Sequence, residues 1–318
     1  MRQPLITFII PAYNAAPYIR ACVESVFGIE LHGHEREVIA INDGSTDNTF
    51  EVLSQCKSDH PELLLISQGN QGPSVARNAG MEKACGKYIF FVDAADRLDC
   101  CCDTKELVSA LEDGVIDIIG INSRQTNLAG RTAPYRRYVP QYNKVYAPAR
   151  TFMHGRNLFP CVWAYLFRRE FLTGRQLRFM PFALHEDDDF TVRTFALARN
   201  FMAIDADLYV RIQRKGSITT TNDREMQKRK LRDVMKILAG LEDFSAPDAE
   251  LQRCMRRKTD YLVVDALRLL IRQRHDIAFR KEIVRSLKGM RRFPLRWRWE
   301  PKYIMFNLFT RLYLCFFQ

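Results

Sequence analysis

Glu37-Val38-Ile39-Ala40-Ile41-Asn42-Asp43-Gly44-Ser45-Thr46-Asp47 holds the decisive pattern. An apolar, β-branched run stops at Asn42-Asp43, a Gly-Ser-Thr turn follows, and residues 47–56 have helical spacing. A short run of this kind suits a strand buried on both faces, as in a parallel sheet. The same unit recurs on either side. Residues 5–10, 63–67 and 87–92 read as strands, and residues 18–27 and 74–85 as helices, the second ended by Gly86. Strand–helix alternation with short links predicts a parallel α/β sheet with helices on both faces.

Ligands of such sheets bind outside the carboxyl ends of the strands. Those positions hold Pro11-Ala12-Tyr13-Asn14, Asn42 to Asp47, Gln68-Gly69-Asn70-Gln71-Gly72 and Asp93-Ala94-Ala95-Asp96. Ser45, Thr46 and Asp47 read as turn and capping chemistry. Asp43 and Asp93 read as functional, because each directly ends an apolar strand.

Beyond residue 103 the pattern changes. Residues 105–112 read as a helix and 117–123 as a strand. Residues 127–148 are polar, with several Tyr and Arg, and read as a long loop or hairpin able to cover a site. Residues 157–171 are aromatic-rich. His185-Glu186-Asp187-Asp188-Asp189-Phe190 is a dense acidic cluster, read either as a solvated helix start or as acids facing a cation or substrate. Residues 226–275 read as two helices separated near Pro247.

The chain has 318 residues and a formal charge of +11. Residues 268–318 carry 13 Lys/Arg against three acids, so the rest is nearly neutral. This distribution argues against a basic body for nucleic-acid binding, since its charge would spread over its own binding face. Nine cysteines, an odd number with no C-x-x-C pair, argue against a disulfide framework or structural zinc and for a reducing cytoplasm. Cys100-Cys101-Cys102 reads as small, partly buried residues entering a helix. The short apolar run at residues 1–10 is stopped by Pro11, so it reads as a strand rather than a secretory leader. No stretch reaches about 18 uninterrupted apolar residues.

Taken in order, Ile9-Ile10-Pro11-Ala12-Tyr13-Asn14, Ile41 to Asp47, Gly72-Pro73-Ser74-Val75-Ala76-Arg77-Asn78-Ala79-Gly80 and Gly86 to Asp93 resemble family-2 glycosyltransferases. The likeness continues through residues 163–172, the "ED" motif at Glu186-Asp187, and Tyr209-x-Arg211 followed by Gly216-Ser217-Ile218. The resemblance implies an α/β, GT-A nucleotide-diphospho-sugar transferase fold over residues 1–225. Residues 226–318 would form a C-terminal helical extension.

It also implies a nucleotide-diphosphate sugar donor, UDP-linked by preference. Pro11, Tyr13 and Asp43 would hold the base, Arg77 and Asp93 would lie near ribose and diphosphate, and Arg211 and Ser217 would reach the diphosphate. Asp187 would be the general base of an inverting transfer, with Glu186 and Asp188 raising its pKa. Trp163, His185 and Glu186 would face the acceptor.

The family's metal motif reads D-x-D-D, but here it reads Asp93-Ala94-Ala95-Asp96. The acid that binds Mn or Mg is replaced by Ala95, and a methyl group offers a hard cation no ligand. Three explanations stay open. Asp96 swings in as the ligand with Asp93 as partner; Arg77 and Arg211 share the charge instead of a metal; or the chain is a catalytically impaired sugar-nucleotide-binding or scaffold protein.

Residues 286–302 interleave bases with Phe293, Trp297 and Trp299, and a short apolar stretch follows. That combination suits an interfacial anchor on an anionic membrane surface through residues 286–318; a helix docked on the body is the other reading. The expectation is a cytoplasmic enzyme, peripheral on the inner face of the cell membrane. A polyprenyl-linked saccharide acceptor of bacterial surface-polysaccharide assembly would suit it, and nucleic acid would not be a partner.

Overall fold

In the computed structural model, strand β1 (Ile6–Ala12) lies in parallel between β2 (Arg36–Asp43) and β4 (Tyr88–Phe91), and β3 (Leu64–Gln68) continues the sheet beyond β2. The structure describes residues 3–138, 141–154, 158–181, 185–214, 223–245, 248–272, 276–292 and 304. Helices α1 (Ile19–Phe27), α2 (Thr49–Asp59) and α3 (Pro73–Lys83) make the crossovers. α3 sits unusually close to the sheet at Gly80. A Cβ there would meet Ile9 Cγ2 at 2.6 Å and Ile41 Cδ1 at 3.1 Å, so a side chain would push the helix off its seat.

After β4 come β5 (Arg97–Leu98), α4 (Lys105–Asp113), β6 (Ile118–Gly120), β7 (Ser123–Thr126) and β8 (Thr132–Arg136). Then follow β9 (Tyr165–Arg168), α5 (Arg169–Gly174), α6 (Glu186–Leu197), β10 (Phe201–Ala203) and β11 (Tyr209–Ile212). The main sheet has the order β10-β6-β9-β4-β1-β2-β3, with β9 antiparallel to both neighbours. A second sheet has the order β5-β11-β7-β8.

The strand expected over residues 117–123 is therefore two strands in two sheets. The break falls at Asn122, whose backbone N–H donates to Ala206 O (2.9 Å) and whose Nδ2 donates to Asp205 Oδ1 (2.7 Å). These bonds replace a ladder partner and turn the chain. The polar stretch after residue 126 closes a hairpin, with β7 and β8 antiparallel.

The core around β4, β9 and α6 is aromatic. Phe91 meets Phe179 and Phe190 edge-on, and Phe179 and Phe190 stack at 3.9 Å. Each such buried ring contributes roughly 1.5–3 kcal/mol over an exposed one.

Two compact units emerge: Met1–His154 with Phe159–Phe182 and Glu186–Ser217, and a second formed chiefly by Ile218–Gln318. The second contains α7 (Arg224–Ser245), α8 (Ala249–Arg272) and α9 (Ile277–Gly289). α9 begins on Asp276, whose side chain accepts from Phe279 N at 2.8 Å, and buries Phe279, Ile283 and Leu287 along one face. Most of the basic–aromatic tail expected to meet a membrane lies outside the described residues. Among the described residues, no helix is long and apolar enough to cross a membrane. The cysteines among them are free thiols; Cys100 and Cys101 are exposed rather than partly buried.

Candidate active site

The ends of β1, β2 and β3 are tied to one another by their loops. Asn14 N donates to Ser45 Oγ (3.1 Å) and Asn14 Oδ1 accepts from Thr46 N (2.8 Å). Ala16 N donates to Asp47 Oδ2 (3.2 Å), while Asp47 Oδ1 accepts from Thr49 N (3.0 Å). Ser45, Thr46 and Asp47 thus spend their side chains on turn and capping bonds. Pro11 lies in β1 opposite Ile41, and Tyr13 projects with 46% exposure.

Asp43, at the last position of β2, is buried. Its Oδ1 accepts from Gln68 Nε2 (2.8 Å) and Gln71 N (3.0 Å), and its Oδ2 from Gly72 N (2.8 Å). It therefore braces the loop after β3 and keeps only its remaining lone pairs for a ligand. Gly44 is needed beside it: φ is +66° and a Cβ would stand 2.5 Å from Asn70 N.

Arg77 on α3 is the hub of the site. Its side chain is 5% exposed. Nη2 donates to Asp93 Oδ1 (3.0 Å); Nη1 donates to Glu186 Oε1 (2.6 Å) and Asp187 Oδ1 (3.3 Å). The guanidinium lies over the Phe179 ring, 5.3 Å from its centroid. Burial works against the charge, but Asp187, Glu186 and Asp93 outweigh it and raise the Arg77 pKa. One cation thus faces three carboxylates.

The acidic cluster is divided by helical geometry. Glu186 and Asp187, in the first turn of α6, reach Arg77, whereas Asp189 turns to Arg193 one turn on and accepts from its Nε at 3.0 Å. Burial raises Asp187 well above the usual carboxylate range; Arg77 opposes this, while Glu186 and Asp93 add to it. Asp187 keeps 22% of its side chain exposed and Asp93 keeps 39%, so both remain open to a ligand. His185 sits just before this helix with φ +68°. That left-handed backbone is uncommon outside glycine, though histidine adopts it more readily than most residues.

Across the loop, Asp93-Ala94-Ala95-Asp96 forms a turn closed by Asp96 N to Asp93 O (2.9 Å). Asp96 is 8% exposed. Its Oδ2 accepts from Tyr209 Oη (2.8 Å) and its Oδ1 from Ile212 N (2.8 Å). Burial, with Asp93 beside it, pushes its pKa up to about 7 against the pull of Ile212 N and Tyr209. Tyr209 Oη also accepts from Asp93 N (3.1 Å), and its ring stacks on Trp163 at 4.4 Å. Trp163 is thereby a buried wall behind Tyr209. Arg211 donates to Gln125 Oε1 (2.7 Å) and lies 5.3 Å from the Tyr135 ring centroid. Ser217 lies outside the described residues.

These residues do not fit a divalent cation. The central position is a methyl group, both Asp96 oxygens are engaged by β11, and Asp93 Oδ1 accepts from Arg77. Among the described residues, no group of three His, Cys, Asp or Glu is placed to hold a metal.

Several supporting residues had no assigned role in the sequence. Asn78 exchanges hydrogen bonds with Phe179, Nδ2 to O and N to Oδ1, both at 2.9 Å, and so fixes the ring beneath Arg77. Its place beside Arg77 in the motif was the available signal. Gln68 stood among the polar residues after a strand, though its bond to Asp43 was not foreseen; Gln125 and Tyr135 carried no signal, because their partner Arg211 is distant in the chain.

Residues 7–173 match the sequence profile of Glycosyl transferase family 2. The chain is 31% identical over 227 residues to "Uncharacterized glycosyltransferase EpsJ" of Bacillus subtilis, a match covering 68% of this chain and 63% of that relative. In fold it is similar to S. aureus TarS 1–349 in complex with UDP-GlcNAc, with TM-score 0.60 and 16% identity over 92% of this chain and 93% of that one. It is also similar to mannosyltransferase PcManGT from Pyrobaculum calidifontis in complex with GDP-Man and Mn2+, with TM-score 0.54 and 16% identity over 98% and 88%. The profile match extends over more than half of the chain and takes in β1 to β9, Asp43, Arg77, Asp93 and Trp163; on that ground the chain belongs to glycosyl transferase family 2.

Proposed function

We propose that this protein is an inverting glycosyltransferase moving a hexose or N-acetylhexosamine from a nucleotide-diphosphate sugar, UDP-linked by preference, to a saccharide or lipid-linked saccharide acceptor. The observation that carries this reading is Asp187. It is a partly open carboxylate with raised proton affinity at the start of α6, hydrogen-bonded to the same arginine as Asp93. A base needs both access and a pKa lifted towards the working range.

Asp187 takes the acceptor hydroxyl proton, and that oxygen attacks the anomeric carbon. The bond to the diphosphate breaks on the opposite face, and the nucleoside diphosphate leaves with the bonding pair. Pro11 and Tyr13 flank the base, which Asp43 receives through its free lone pairs. Arg77 holds Asp93, Glu186 and Asp187 in register near the ribose and diphosphate. Arg211 and Ser217 meet the charge developing on the leaving group. Trp163, through Tyr209, and His185 and Glu186 shape the acceptor side. In relatives, a divalent cation would supply charge to the diphosphate; no step is assigned to one here. The neighbours' UDP-GlcNAc and GDP-Man support a nucleotide-sugar donor.

Residues 1–225 form the transferase portion and residues 226–318 the helical extension. Its basic tail holds the enzyme on the anionic inner face of the cell membrane, within reach of a lipid-linked acceptor of surface-polysaccharide synthesis. Asp187→Asn tests the chemistry: transfer from a panel of UDP-sugars is lost while UDP binding is kept. A variant that transfers as fast as the parent refutes the assignment. Ala95 favours one other reading, a non-catalytic sugar-nucleotide-binding protein. The parent would then bind donors without hydrolysing or transferring any.

A further inference from the structure

We infer that Asp96 is a positioning residue: its carboxylate fastens β11, and with it Arg211, to the loop ending β4, and it is not a ligand for a divalent cation. Nucleotide binding then does not depend on a metal bound through Asp96.

Asp96 occupies the junction where the β4 loop enters β5, and β5 runs antiparallel to β11, with Arg97 opposite Val210 and Leu98 opposite Tyr209. The backbone ladder there is only two residues long on the β5 side. The Asp96 side chain extends it, accepting from the Tyr209 hydroxyl and the Ile212 amide at 2.8 Å each. Those bonds fall on either side of Arg211, so they hold the strand before and after the arginine. The hydroxyl of Tyr209 completes the clamp by accepting from Asp93 N (3.1 Å), and Trp163 stacks on its ring.

Each Asp96 oxygen keeps a lone pair, but to swing towards the place of the acid missing at Ala95 the carboxylate would have to turn from β11 and release a part-buried amide and a buried hydroxyl. Each would then lack an acceptor, and burying an unpaired polar group is costly. The charge that a cation brings elsewhere must come from fixed side chains. Arg211 is the arginine that this clamp holds.

The inference rests on the donor-binding reading only for its nucleotide measurement. Two readouts keep the inference and that reading apart. The first is amide hydrogen exchange without ligand, in the full-length parent, Asp96→Asn and Asp96→Ala. Exchange at residues 209–212 should quicken at least tenfold in Asp96→Ala and less in Asp96→Asn, which keeps an acceptor for Ile212 N. Residues 64–68 of β3 serve as the unchanged reference. If Asp96→Ala does not fold, Tyr209→Phe removes the hydroxyl half of the clamp and is scored in the same way. Unchanged exchange at residues 209–212 overturns the positioning role.

The second readout is calorimetric titration with UDP in EDTA and in Mn2+. Parent affinity should agree within about threefold between the buffers, and the variants should weaken it equally in both. A tenfold gain from Mn2+ in the parent that both variants abolish would overturn the inference and make Asp96 a ligand. Absence of UDP binding in either buffer would refute the donor reading, while exchange would still decide the clamp.

Discussion

The first unit contains two arginine–carboxylate clusters of opposite composition. Around Arg77, one guanidinium serves Asp93, Glu186 and Asp187. Around Asp117, one carboxylate serves two guanidiniums: Arg168 donates from Nε (2.9 Å) and Nη2 (2.6 Å), and Arg199 from its backbone N (2.8 Å) and side chain. Asp117 is fully buried and, despite that burial, its pKa is lowered by Arg199 and Arg168. Asp187 is partly open and its pKa is raised. The first arrangement leaves surplus negative charge and proton affinity at the edge of the sheet. The second leaves neither, and joins the entry to β6 with β9 and the turn after α6. A site is marked here by surplus carboxylates left partly open, and a structural tie by a buried carboxylate whose charge is fully met.

The largest effect should come from removing the shared cation. Arg77→Met keeps much of the apolar contact with Phe179 but leaves three carboxylates without their arginine. Losing one side of a buried ion pair costs about 3–5 kcal/mol, so the urea midpoint should fall sharply at neutral pH and partly recover on acidification. Transfer should vanish as well. A loss below about 1 kcal/mol would show that Arg77 does not hold the cluster together.

Asp117→Asn should come next, at about 3 kcal/mol, because the amide cannot neutralise Arg168. The folded variant should keep its transfer rate, unlike the Arg77 variant. Equal loss of rate in both would erase the distinction between tie and site.

The pH dependence of the two kinds of carboxylate should have opposite signs. A raised folded pKa gives stability that is complete below the unfolded value near 4 and lost as pH rises through the folded one. Asp96, at about 7, should therefore cost the parent stability between roughly pH 4 and 7. Asp96→Asn does not ionise, so it should gain on the parent across that window by up to about 1.4 kcal/mol per pH unit. Asp117, with its pKa lowered, gives stability present above about pH 4 and lost as pH falls through its folded pKa. The penalty of Asp117→Asn should shrink only there. Chemical denaturation at half-unit intervals checks both signs.

The strands of the first half were legible because each is a buried apolar run with a polar stop, and Asp43 and Asp93 stood out as those stops. The motif order brought in Arg77 and the Glu186-Asp187 pair. What stayed hidden depends on contacts distant in sequence. Nothing local reveals that Asp96 turns to Tyr209 and Ile212, over 110 residues away. Nor does local sequence split residues 117–123 between two sheets, since Asn122 answers to Asp205 and Ala206. The motif singled out Glu186 and Asp187 among the four acids at 186–189, but composition does not show direction; the helix assigns Asp187 to Arg77 and Asp189 to Arg193.

The smallest expected effect lies in the second unit, and it bounds the comparison from below. Arg232 on α7 donates to Glu282 on α9 from Nε (2.8 Å) and Nη2 (3.0 Å), a bidentate geometry as good as any in the first unit. Both side chains are nearly half exposed, however, at 49% and 45%. Water already solvates the separated charges and screens the joined ones, so exposed pairs contribute about 0.2–1 kcal/mol. Arg232→Ala should therefore lower stability by about 0.5 kcal/mol, less at high salt, plus a little for the guanidinium lying over the Phe279 ring. A double-mutant cycle with Glu282→Ala separates the two contributions. A coupling near 3 kcal/mol would mean that bond geometry sets the strength of these clusters. A coupling below 1 kcal/mol would leave burial as the quantity that separates Asp117 from Glu282.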